Sequence, residues 1–187
     1  MRRLCLSLLV LAGCASAPVP SAAPAWKLLS ASPDVTELQF QTDQNLNRAT
    51  ITASGAQGPF VDLKRTAGKL QGTVRVDTPV ELQLKGSEIH GRVAGDAFDL
   101  TLIPDEQEIR ATGLARGVPS TFWMSPPKVR GSIGECQFDL VWGAGRYSGT
   151  RTCGARSDVV SVLVPAALST WSDPEVAAML VLISTRQ

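Results

Sequence analysis

Histidine and tyrosine each occur once in this chain, and aromatic residues together make up 5% of it. The first scarcity weighs against nucleophilic catalysis. A serine or cysteine nucleophile needs a base within hydrogen-bond reach, and the usual base is imidazole. The second weighs against an outer-membrane barrel, whose strands of about 9–11 residues carry aromatic girdles at both interfaces. Charge of one sign is lacking as well. Lys and Arg total 18 against 17 Asp and Glu, with no basic stripe, so nucleic acid and anionic lipid surfaces are poor partners. The apolar run Leu4–Leu11 at the amino end is too short to span a bilayer.

What is present begins with "MRRLCLSLLVLAGC", residues 1–14. Arg2 and Arg3 supply the positive start of an export signal, Leu4–Leu11 its apolar centre, and Ala12-Gly13 the small residues of a cleavage site. The closing "LAGC" resembles the lipobox of bacterial lipoproteins. That resemblance implies removal of residues 1–13 and acylation of Cys14, with palmitate-type chains anchoring the protein in a membrane. A plain secretory signal cut nearby is the alternative. Ala15, where retention at the inner membrane usually calls for aspartate, implies the outer membrane of a Gram-negative bacterium. Each buried CH₂ of an acyl chain contributes about 0.8 kcal/mol, and several chains make the attachment stable. Residues 14–25, ending in a Pro/Ala/Ser stretch, read as an extended tether. A single domain is expected over 26–187.

Four cysteines occur. Cys5 lies in the signal and Cys14 in the lipobox, which leaves Cys136 and Cys153. In an exported, oxidising setting a disulfide is their default pairing. A metal site would need further ligands, and His90 is distant in sequence, so no metal or cofactor is expected.

The domain repeats itself. "EIHGRVAGDAFDLTL" (88–102) and "KVRGSIGECQFDLVW" (128–142) are two versions of one phrase. Ile51, Leu70, Ile89, Ile109 and Val129 follow one another at 19- or 20-residue intervals, with Gly72, Gly91 and Gly131 two positions after three of them. A second apolar run opens nine or ten residues later and alternates, as in Phe98-Leu100-Leu102 and Phe138-Leu140-Trp142. Alternation is the period of a half-buried strand, so each unit is a hairpin. With Gly134-Glu135 as a turn, Ile133 faces Cys136, Gly131 faces Phe138, Val129 faces Leu140, and Arg130 meets Asp139. With "GAGR" (143–146) as a loop, Trp142 faces Tyr147 and Cys136 faces Cys153.

These registers predict a mainly all-β domain: an antiparallel meander of ten or more short strands, closed as a barrel or folded as a sandwich. A β-solenoid is the rival, but neighbouring rungs would align residues 19–20 apart, whereas the cysteines are 17 apart. The third copy, "EIRATGLARGVPSTFWM", has Ala111 where glycine is expected and Pro119 in its second strand, which predicts a break or sheet corner near 117–127. At the carboxyl end, Ser172 or Asp173 as cap, Pro174 in the first turn and Glu175 in a capping box start a helix over about 173–185. Val176, Met179, Leu180 and Ile183 share one face, and the helix is expected to close an end or edge of the sheet.

Reactive constellations are scarce. Strand parity puts His90 on the solvated face beside Glu88 and Arg92. Asp99 and Asp139 occupy equivalent places, each opposite a basic group, as a structural charge ladder would. Phe122, Trp123, Trp142 and Tyr147 cluster in the repeat pattern and supply either core packing or an apolar patch for a ligand or partner. The expectation is a non-enzymatic, lipid-anchored envelope domain acting as a structural, assembly or protein-binding accessory. The alternative is a barrel that binds or carries a small apolar ligand. An envelope glycan or peptide hydrolase, using Asp99 or Asp139, ranks below both.

Overall fold

The computed structural model describes residues 28–75, 77–105 and 107–184. The signal segment, Cys14 and the tether lie outside these residues, as does the end of the expected helix span. Over the described residues the chain forms fourteen strands: β1 (Glu37–Thr42), β2 (Leu46–Thr52), β3 (Gly55–Gly58), β4 (Val61–Thr66), β5 (Lys69–Val74), β6 (Thr78–Lys85), β7 (Glu88–Val93), β8 (Asp96–Asp105), β9 (Glu108–Ala115), β10 (Val118–Ser125), β11 (Lys128–Ile133), β12 (Cys136–Gly143), β13 (Arg146–Cys153) and β14 (Arg156–Leu163). Each pairs antiparallel with the next, and β14 returns to pair with β1, so the meander closes into a barrel. The solenoid is thereby excluded. A 3₁₀ turn (Ala166–Thr170) and one helix, α1 (Asp173–Ser184), follow β14.

Registers fixed by the turns agree with the parity of the sequence. Ile133↔Cys136, Gly131↔Phe138, Val129↔Leu140 and Arg130↔Asp139 are partners, as are Trp142↔Tyr147 and Cys136↔Cys153. Cys136 and Cys153 are joined by a disulfide. Ala94-Gly95 and Ala144-Gly145 turn their hairpins with positive φ at both residues, 57° and 87° in the first, 51° and 77° in the second. Paired positive φ values match the right-handed twist of the flanking strands.

The repeated glycine has a sharper role than leaving room for the ring opposite. Gly91 has φ +155°, and a Cβ there would overlap the carbonyl oxygen of Glu81 on β6. Gly72, Gly113 and Gly149 would likewise meet a carbonyl of the preceding strand. The glycines mark points where one backbone closes on the next. This also corrects the expected break at 117–127. In the third copy the glycine has moved two residues, from position 111 to Gly113, and β9, β10 and β11 run on without interruption. Pro119 is tolerated because the ladder to β11 begins only at Thr121.

The helix departs furthest from expectation. The barrel closes on itself and has no free edge for α1 to cover. Every residue from Pro174 to Ser184 is buried, on all faces of the helix rather than one. Its partners come from around the wall: Arg65 on β4 holds Glu175, Asn47 on β2 donates to the Ile183 carbonyl (3.2 Å), and Arg151 on β13 donates to the Ser184 carbonyl (3.4 Å). It also packs against β7. α1 therefore lies inside the lumen and runs through it lengthwise. A helix apolar all round requires such an environment. Lumen and helix form one core with Phe40, Phe98, Phe122, Phe138 and Leu100.

Candidate functional site

The barrel has two dissimilar ends. The chain enters at one end, where Leu28–Ser32 crosses between the turn at 126–127 and the exit of β14. This strap is fixed by polar contacts. Ser30 donates its N–H to the Tyr147 hydroxyl (2.8 Å) and its own hydroxyl to the Pro126 carbonyl (2.9 Å). Ser32 N–H donates to the Val164 carbonyl (2.6 Å), and the Val164 N–H donates to the Ser32 hydroxyl (3.0 Å). Tyr147 Oη in turn donates to the carbonyl of Pro126 (2.9 Å) or Ser125 (3.1 Å). Burial pushes the Tyr147 phenol up to about 12, against the opposing effect of its bonds from Ser30.

The helix also starts at this end. Ser172 N–H donates to the Glu175 carboxylate (2.7 Å), one half of the expected capping box, while the Ser172 hydroxyl donates to the same oxygen (2.8 Å). Arg65 meets both oxygens of that carboxylate, at 2.7 and 2.9 Å, and lies over the Trp171 ring. Burial alone would raise the Glu175 carboxyl. The Arg65 guanidinium and the Ser172 donors outweigh it and hold the group below its usual range. Trp171 anchors the turn before the helix by donating from Nε1 to the Thr52 carbonyl (2.9 Å).

Between strap, 3₁₀ turn and helix start lies a cleft of about 610 Å³. Leu28, Leu29, Pro126, Trp142, Val164, Pro165, Leu168, Trp171 and Val176 line it, with Ser30, Ser169 and Asp173 as the polar members. Its size is within the range of small-molecule sites, and its lining is of the same apolar kind. Burial raises the Asp173 carboxyl above its usual value. The far end of the barrel is closed differently. There Arg151 and Asp158 form a buried pair (2.8 Å), with Arg156 on the second carboxylate oxygen (3.0 Å). Arg151, bound to Asp158 and beside the last carbonyls of α1, suits the negative end of the helix dipole and holds the Asp158 carboxyl low.

The four aromatic residues singled out by the repeat do not form one patch. Phe122 and Tyr147 are fully buried inside the barrel. Trp123 is on the outer face under the Arg130 guanidinium, 4.5 Å from it. Trp142 alone lines the cleft, edge-on to Tyr147 at 5.0 Å. The cleft's other walls, Leu28, Leu29, Leu168 and Trp171, were not legible because they lie outside the repeat. Arg65 and Arg151 were legible in principle, since strand parity points both inward.

On the outer wall His90 lies between Asp99 (3.1 Å from Nδ1) and Glu88 (3.3 Å from Nε2), and Asp99 raises its pKa above the usual value, with Glu88 second. Asp139 is not bound to Arg130, its register partner. It takes Lys128 (2.8 Å), while Arg130 reaches Glu108 (2.7 Å). Among the described residues no group of three or more His, Cys, Asp and Glu is placed to hold a metal, and no helix is long and apolar enough to cross a membrane. The strands are apolar toward the lumen and carry Lys64, Glu81, His90, Arg92 and Asp99 outward, the inverse of a membrane-spanning barrel. Comparison with protein-family models, with curated proteins and with solved structures finds no match for this chain.

Proposed function

We propose that this is a lipid-anchored protein of the bacterial envelope, held to the outer membrane through Cys14, whose barrel works by contact as a structural, assembly or protein-binding accessory. The lipobox resemblance and the Pro/Ala/Ser tether support the anchor. The observation that carries the contact role is the filled lumen: with α1 inside, the outer wall and the entry end remain as working surfaces. On that wall Val141 and Val159 are exposed beside Ser148, Thr150 and Ser161, with Lys128 opposite Val141 on β11. The test is crosslinking in intact envelopes followed by capture of the protein. A stoichiometric protein partner that is retained by wild type and lost in Val159→Glu supports the reading. No such partner, or one indifferent to the wall, sinks it.

The cleft favours a second reading, a site for a small apolar ligand. The filled lumen moves that site from the barrel centre, where a carrier would hold its cargo, to the entry end.

A further inference from the structure

We propose that the entry-end cleft takes the acyl chain of a membrane lipid. The inference rests on the ligand-binding reading of this cleft and names its ligand class.

Three observations point to an acyl chain. Trp142, Trp171, Leu28, Leu29, Leu168 and Val164 give the cleft its apolar walls. Ser30, Ser169 and Asp173 supply the polar side chains of the lining, and the Asp173 carboxyl is in surroundings that disfavour its charge. A long apolar chain with one polar end is the ligand that matches such walls. A protein segment matches poorly: strand addition needs an open sheet edge, and the barrel closes β1 on β14.

The third observation is where the chain enters. Leu28, the first described residue, is itself part of the cleft wall. Thirteen residues separate it from Cys14. At the extended limit of about 3.6 Å per residue, an acylated Cys14 keeps this end within about 50 Å of the bilayer. The anchored protein thus meets acyl chains at the end that has a place for one.

The test uses the full mature chain with Cys14→Ser, exported by a plain secretory signal, and dibromostearate as probe, because bromine quenches tryptophan on contact. The expected result is a saturable loss of emission at one probe per chain, reduced in Trp142→Phe and intact for the Trp123 contribution. Ala166 lines the cleft and is exposed, so Ala166→Glu places a charge at the mouth without touching the core. It is expected to weaken binding at least about tenfold with an unchanged unfolding midpoint, while Ala166→Val binds normally. Quenching that Ala166→Glu leaves untouched, or none at all because the chain's own amino-terminal residues fill the cleft, overturns the proposal. If a compact probe, bromonaphthalene, quenches where dibromostearate does not, the ligand-binding reading stands and the acyl chain falls. The last arm places the lipidated chain in phosphatidylethanolamine–phosphatidylglycerol vesicles with dibromostearoyl chains. Quenching there supports the bilayer as source, and its absence beside binding of the free acid removes the membrane from the proposal. An intact mass reports acylation of Cys14 separately.

Discussion

The hairpins β7–β8 and β11–β12 carry the same phrase, and they agree on one face and diverge on the other. Inside, Gly91↔Phe98 and Ile89↔Leu100 match Gly131↔Phe138 and Val129↔Leu140 residue for residue. Outside, His90 and Asp99 bind each other across the strands, whereas Arg130 leaves Asp139 for Glu108 and Trp123. The lumen admits one arrangement because close packing penalises each displaced methylene. The wet wall permits many, because exposed ion pairs differ by only a few tenths of a kcal/mol. The phrase is thus repeated where packing dictates it and drifts where it does not.

The largest test of this comparison is Gly91→Ala against Gly131→Ala. At Gly91 the new Cβ meets the Glu81 carbonyl, and at Gly131 the Thr121 carbonyl and the Phe122 backbone. Each is expected to lose about 4 kcal/mol or more, through strained positive φ and backbone overlap together. Urea midpoints measure it, and tolerance at either position would mean that the strands there can move apart at little cost. Phe98→Ala and Phe138→Ala come next, at about 3 kcal/mol or more each, since both leave a cavity in the core. If one is silent in the same titration, the inner faces are not equivalent.

A smaller difference is expected from the disulfide, which only the second copy possesses. Cys136→Ala with Cys153→Ala should cost about 3 kcal/mol for a 17-residue separation. Reduction of the wild type should shift its melting temperature in the same direction. Smallest of all, Asp99→Asn and Asp139→Asn should each change stability by less than about 0.5 kcal/mol. His90 gives that outer pair a pH signature. Its pKa is raised in the folded state by Asp99 and Glu88, so the stabilisation is whole below the unfolded value of about 6.5 and is lost as pH rises through the folded one. An NMR titration of this single imidazole should give a midpoint above 6.5 that Asp99→Asn lowers. A midpoint at or under that value would show the pair to be absent in solution.

The fold was legible where it is local. Hairpin turns and parity settle which residues face each other, and that reached the glycine pairs and the cysteine bridge. Closure of β1 on β14 was not legible, because it joins residues more than a hundred positions apart with no turn to announce it. Nor was the place of α1. Reading Val176, Met179, Leu180 and Ile183 as a face overlooked Ala177, Ala178, Val181 and Leu182, which make the other faces apolar too. Of the cleft, only Trp142 belonged to the repeat. Its remaining walls come from the strap, the β10–β11 turn, the exit of β14, the 3₁₀ turn and the start of α1, whose meeting depends on the closed barrel and not on any local pattern.

The position of α1 has a consequence for biosynthesis. The segment that fills the barrel leaves the ribosome after every strand that surrounds it. A chain stopped before residue 173 would have all its walls and no centre, with apolar lumen faces left wet. Synthesis of α1 is therefore a condition of folding, and a copy terminated before it would present itself as unfolded to whatever proteases share its compartment.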